Sequence, residues 1–161
     1  MDLNITDKEN ILQNFIGLST LSQTQIEKLS GICHHRHYKA EELVYNYGTC
    51  AAVYLILQGT VALYKRHLNQ VNRFHVVEKG RAFGFEALDK GAERSHLARA
   101  CEPCETLVFL NSDIEDLFTR DPWLARRFYC FAISSLCYEL DCINEGYIEL
   151  THRLIDSDII V

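Results

Sequence analysis

A chain of 161 residues can bury roughly 70% of its unfolded surface in one domain, so neither a disulfide framework nor a metal is needed to supply a core. Hydrophobic residues make up 48% and charged residues 24%, with two prolines and eight glycines, which excludes a disordered, collagen-like or low-complexity chain. A formal charge of -6 excludes a general basic surface for nucleic acid or anionic lipid, and no apolar run approaches the roughly 18 residues of a membrane span.

Met1 to Asn10 is polar and acidic, without the basic and apolar regions of a secretion signal, so the expected location is the cytoplasm. Residues 1–36 are expected to hold two short helices. Ile11, Phe15 and Leu18 share one stripe, Gly17 to Thr20 breaks it, and Ser22-Gln23-Thr24 starts a second helix with Ile26 and Leu29. These helices read as lids rather than core. Over 37–111 the period changes to two: Leu43, Tyr45 and Tyr47, then Val53, Leu55 and Leu57, then Val61 and Leu63, then Phe74 and Val76. Glycines at 48, 59, 80 and 84 punctuate the strands, which continue through Ser95 to Ala100 and Thr106 to Leu110, predicting an antiparallel jelly roll.

Over 112–150, Ser112-Asp113-Ile114-Glu115 reads as a capping box for a short helix, and Asp121-Pro122 as the cap and first residue of a long one. The long helix carries two apolar stripes: Leu124, Phe128, Phe131, Tyr138 and Cys142, and Tyr129, Ile133, Leu136, Leu140, Ile143 and Tyr147. If one stripe packs on the sheet, the other needs a partner, and a parallel copy of the same helix in a two-fold homodimer supplies it; the alternative is a wholly buried helix. Gly146 is expected to kink or end the helix, leaving 151–161 as a tail. The seven cysteines follow no framework spacing and read as reduced, buried thiols.

This order of elements resembles the cyclic-nucleotide-binding domain of the Crp/Fnr superfamily of bacterial regulators, over about residues 15 to 155. The pieces that carry the resemblance are Tyr54-Leu55-Ile56-Leu57-Gln58-Gly59-Thr60-Val61, similar to the family's strand-glycine-strand hairpin, and Gly80-Arg81-Ala82-Phe83-Gly84-Phe85-Glu86-Ala87-Leu88, followed by Glu93-Arg94-Ser95. The fold implied is a β-roll (double-stranded β-helix, jelly roll) with a long C-terminal dimerisation helix. The function implied is regulatory and not enzymatic: a cyclic nucleotide (cyclic AMP or cyclic GMP) or another small anionic effector binds in the roll and the C-helix carries the signal.

By this resemblance Arg94, Ser95 and the backbone of Gly84, Phe85, Glu86 and Ala87 take the phosphate, while Glu139 and Leu140 stand at the positions that contact the base. Phe85 replaces the family's ribose-binding glutamate. Glu86 comes one residue late, which on an α-helix turns a side chain by about 100°, so it is not expected to substitute. Gly84-Phe85-Glu86-Ala87-Leu88 is closer to the fumarate-nitrate reductase regulator branch, whose N-terminal cluster cysteines have no counterpart in the first 32 residues here. The family's helix-turn-helix segment has no counterpart up to Val161 either, so no sequence-specific DNA reading by this chain is expected.

Two other readings stay open. One is a degenerate module that binds no nucleotide and serves dimerisation through Tyr129, Ile133, Leu136, Leu140 and Ile143, or partner docking. The other is a haem or redox sensor, for which Cys33-His34-His35-Arg36-His37 and Cys101-Glu102-Pro103-Cys104 are the candidate residues; their spacing does not suit tetrahedral zinc, and Glu102 and Glu105 oppose a reactive thiolate. An Arg94 that reaches an open roll favours the nucleotide reading, and an aromatic that fills the roll favours the degenerate one.

Overall fold

The computed structural model describes residues 3–49, 51–89 and 91–156. Helices α1 (Ile5–Asn14) and α2 (Gln23–Ile32) start at caps written in the sequence: the Asn4 side chain accepts the Asp7 N–H, and Ser22 and Gln25 form a reciprocal capping box. Ten strands follow among the described residues, and they sort into two four-stranded antiparallel sheets and a two-stranded ribbon. The first sheet has the order β1 (Cys33–Tyr38), β10 (Cys104–Leu110), β4 (Ala52–Gln58), β7 (Ala82–Phe83); the second has β2 (Leu43–Tyr45), β9 (His96–Ala100), β5 (Val61–His67), β6 (Gln70–Val77). The ribbon pairs β3 (Gly48–Thr49) with β8 (Glu93–Arg94). This is the predicted β-roll.

The strand alternation builds two cores. On β4, Val53 and Leu55 face the helices, whereas Ala52, Tyr54 and Ile56 face the roll interior; on β10, Leu107 and Phe109 join the first set and Cys104 and Val108 the second. The first sheet is therefore apolar on both faces, as a central layer must be, and each large side chain so buried contributes about 1.5–3 kcal/mol over its exposed state. Leu12, Phe15, Leu18, Leu21, Ile26 and Leu29 lie in the helical core, so α1 and α2 are half of a core and not lids.

Several boundaries differ from the sequence expectation. Strand β1 begins at Cys33, ahead of residue 37, because its pairing with β10 starts at Cys33 opposite Phe109. Helix α3 (Asn111–Arg120) begins before Ser112, whose hydroxyl bonds the Asp113 carboxylate rather than a helix N–H, so the capping box does not form. Helix α4 (Pro122–Asp156) starts as predicted: Asp121 Oδ1 accepts the Leu124 N–H at 3.0 Å, and Lys28 of α2 bonds its other oxygen and holds the carboxyl below its usual range. The helix continues unbroken past Gly146, so it does not end there and 151–156 is helical, not tail; residues beyond 156 lie outside those described.

The two stripes of α4 separate as two environments. Leu124, Phe128 and Phe131 are buried against the roll and α1, while Tyr129, Ile133, Leu136, Leu140, Ile143 and Tyr147 are each more than 40% exposed. Those exposures overturn the wholly buried alternative. Tyr138 of the first stripe is also exposed, and Cys130 and Cys137 are exposed rather than buried.

Candidate ligand-binding site

Where α4 parts from the roll it roofs a cavity of about 600 Å³. The second sheet supplies Leu63, Lys65, Phe74 and His96, the link between β8 and β9 supplies Ser95, the end of β7 and the turn after it supply Phe83 to Glu86, and α4 supplies Leu136 and Glu139. The walls are thus mostly apolar, with a few polar groups converging on one space, the usual make-up of a small-molecule site.

Gly84 sets the geometry of the near wall. Its φ of +84° turns the chain from β7 into a single 3₁₀ turn over Phe85–Leu88, and a Cβ there would lie 2.7 Å from the Ala52 carbonyl oxygen and 3.2 Å from Arg94 Nη2. Phe85 is drawn into the helical core, where its ring meets Phe131 edge-on at 5.6 Å, and Glu86 is left on the cavity wall with its carboxylate 3.4 Å from His96 Nδ1. Ala87 is buried in that core, with its N–H bonded to the Gly84 carbonyl, and takes no part in the wall.

Arg94 is only 3% exposed and stands behind the wall. Its Nη2 donates to the Ala52 carbonyl at 2.5 Å, and its guanidinium lies 3.7 Å from the Tyr45 ring centroid. Its Nε has no partner among the described residues. The guanidinium is thus committed to Ala52 through one nitrogen, with Nε left as a donor that an anion could take. Tyr45 also bonds His96 Nε2 at 2.7 Å, so Glu86, His96, Tyr45 and Arg94 form one continuous chain of contacts. Burial, then Arg94 and Lys65, push the His96 pKa down against the pull of Glu86, so His96 is neutral, presents Nδ1–H to Glu86 and accepts the tyrosine O–H at Nε2.

Glu139 enters from the roof. Burial, followed by the charge of Glu86, pushes its carboxyl up to about 7, with Arg81 opposing. Arg81 in turn holds the helix: its guanidinium lies 3.4 Å from the Tyr138 ring centroid. Of the candidates read from sequence, the fold brings together Gly84, Phe85, Glu86, Ser95 and Glu139, and adds Leu136 from the exposed stripe. Leu140 is 57% exposed and does not line the cavity. Sequence reasoning missed Lys65 and His96, which sit opposite each other in the β5–β9 pairing; the signal available was that His96 follows Ser95 directly.

The two cysteine and histidine runs do not form a joint cluster. Alternation on β1 instead puts His35 and His37 on one side with Glu105 of β10, their ligand atoms within 4.8 Å of one another. The Leu3 N–H donates to His35 Nδ1 at 3.1 Å, so the proton sits on Nε2 and goes to Glu105 at 2.5 Å. His35 is thus hydrogen-bonded at both ring nitrogens, and a metal at its Nε2 would have to displace that proton. Burial pushes the Cys104 thiol up to about 11, with Glu102 and Cys101 adding to the effect, which opposes thiolate chemistry at Cys104.

The sequence profile described as "cyclic nucleotide-binding domain" matches residues 35–121. Among solved structures, a cyclic nucleotide-binding domain from Methylobacillus flagellatus KT superposes with a TM-score of 0.77 at 16% identity, covering 92% of this chain and 88% of that one. The N-terminal domain of a transcriptional regulator from Streptomyces coelicolor A3(2) does so with 0.66 at 16% identity, covering 83% and 94%. The catabolite activator protein of Thermus thermophilus gives 0.64 at 25% identity over 84% of this chain, which spans 61% of that protein. A search of curated protein sequences finds no match. Among the described residues, no helix is long and apolar enough to cross a membrane.

Proposed function

Since this chain belongs to the cyclic nucleotide-binding domain family, we propose that it is a ligand-sensing regulatory domain that takes a cyclic nucleotide into the roll cavity and signals through α4. The observation that carries this reading is that one cavity is walled by the Gly84–Glu86 turn and Ser95 and roofed by Leu136 and Glu139. Anything bound there touches sensor and output helix at once. Ser95 and the backbone of Gly84 to Glu86 contact the cyclic phosphate, Arg94 joins them through Nε, and Glu86 receives a ribose hydroxyl. Glu139 faces the base. The exposed stripe Tyr129, Ile133, Leu136, Leu140 and Ile143 follows a heptad rhythm and packs against the same stripe of a second copy.

A thermal-shift titration with cyclic AMP, cyclic GMP and inorganic phosphate, beside Arg94→Ala, tests this. A nucleotide at 100 times its Kd stabilises the fold by about 2.7 kcal/mol, and the variant loses most of that shift. No shift with either nucleotide refutes the reading. A second reading, a dimerisation or docking module that binds no nucleotide, draws on the commitment of Arg94 to Ala52 and Tyr45, and that outcome would select it.

A further inference from the structure

Away from the roll cavity, the first sheet carries a second set of converging polar groups. Residues 33, 35 and 37 of β1 share one face and pair with Phe109, Leu107 and Glu105 of β10. Cys33, Phe109 and Leu107 lie in the helical core, so this apolar column ends in His35, His37 and Glu105, at an edge strand with no neighbour beyond it. The β10–β4 register shifts next to Glu105, the kind of irregularity that re-aims a side chain. The ligand atoms of the three residues lie within 4.8 Å of one another. The His35 side chain is 2% exposed, whereas Glu105 is half-buried and His37 is exposed, so the group has a fixed floor and an open side. His37 has no side-chain hydrogen bond or ion pair among the described residues, and its ring meets that of His35 edge-on at 4.4 Å. Two imidazoles and one carboxylate on paired strands are the donor set of a zinc site that keeps one position open.

We propose that His35, His37 and Glu105 bind a divalent cation of the zinc class, through Nε2 of His35, a ring nitrogen of His37 and the Glu105 carboxylate, with water in the open position. Zinc bonds of about 2.0–2.2 Å at tetrahedral angles hold ligand atoms about 3.4 Å apart. The His35–Glu105 pair, now at 2.5 Å, therefore opens and His37 closes, each by about 1 Å, which an exposed ring and a half-buried carboxylate achieve by side-chain rotation. For Nε2 to give its lone pair to the ion, the imidazole proton moves to Nδ1. There it faces the Leu3 N–H donor to donor, and the 3.1 Å bond between them breaks. Metal at His35 and the Leu3 bond to His35 are therefore mutually exclusive: the ion exchanges a tie to the segment ahead of α1 for a cross-link of β1 to β10.

Calorimetric titration of the full chain with Zn²⁺ and with Mg²⁺, beside His37→Ala and Glu105→Gln, tests the site, together with ¹H–¹⁵N spectra of the histidine rings. The expected result is binding of Zn²⁺ with a Kd of about 10 μM or tighter, no binding of Mg²⁺, and a loss of Zn²⁺ affinity of at least about tenfold in each variant. In the ring spectra the His35 proton should leave Nε2 for Nδ1 as Zn²⁺ is added, with the Leu3 amide signal shifting in step. Absence of Zn²⁺ binding overturns the proposal. So does affinity undiminished in His37→Ala, the result that capture by the exposed thiols of Cys130 and Cys137 would give. A His35 that keeps its proton on Nε2 at saturating Zn²⁺ overturns it as well. His37 is exposed, so its removal disturbs no packed side chain, and the ring spectra need only the wild type.

Discussion

Replacing Gly84 with alanine tests the wall of the cavity at its tightest point. With φ at +84°, any L-residue pays backbone strain of about 1–2 kcal/mol, and the new methyl would also sit 2.7 Å from the Ala52 carbonyl oxygen and 3.1 Å from Tyr54. Neither neighbour can easily give way, because Ala52 is fixed in β4 and Tyr54 is stacked on Phe83 at 5.0 Å. Gly91 is the natural control: its φ is +86°, but a Cβ there meets nothing within 4 Å, so Gly91→Ala pays for the backbone alone. Gly84→Ala should therefore cost about 1–3 kcal/mol more than Gly91→Ala, the range for overpacking a fixed site. Urea unfolding of the two variants measures it, with the midpoint shifted and the slope unchanged. Equal losses would show that the Ala52 carbonyl does not constrain the turn, and the description of this wall would be wrong.

Glu139 ties stability to pH. Its folded pKa near 7 lies above its ordinary 4.5, so its contribution is full below pH 4.5 and is lost as pH rises through 7. Between pH 5 and 8, Glu139→Gln should gain about 2 kcal/mol on the wild type, and a constant difference across that range would contradict the raised pKa. Ile133, at 61% exposure, lies on the proposed seam but not in the cavity, so Ile133→Glu should leave the melting curve of the roll nearly unchanged and yield a monomer by sedimentation. An unchanged dimer would remove the seam. Burial holds the Cys33 and Cys104 thiols near 11, whereas Cys130 and Cys137 are exposed, so a thiol reagent at pH 8 should label the helix pair first; early labelling of Cys104 would contradict its burial.

Legibility in the sequence followed how local the cause was. Asp121-Pro122, Ser22 as the start of the second helix, and the alternation of β4 and β10 act within a few residues, and each formed as written. Gly146 failed as a stop signal because one glycine costs a helix only about 1 kcal/mol, which the other turns of a 35-residue helix can offset. Ser112 failed as a cap because the helix had already begun at Asn111, and the first two helices became core because Phe131 of a distant element packs against Phe15. At the candidate site the motif located the turn at Gly84, but the geometry of that turn was not readable. Phe85 lies in the helical core against Phe131 and Glu86 lies on the cavity wall beside His96, a placement set by long-range packing. The placement of Arg94 was still less accessible, since its long side chain chooses among partners, Ala52 and Tyr45, more than 40 residues away in sequence.

The central claim is that a ligand in the roll is felt by α4 through Leu136 and Glu139. Hydrogen exchange of the full chain, with and without saturating cyclic GMP, measures that most directly. The account predicts slower exchange in two places together, the Gly84–Leu88 turn and the stretch of α4 around 135–143. Protection confined to the roll, with the helix unchanged, would contradict it.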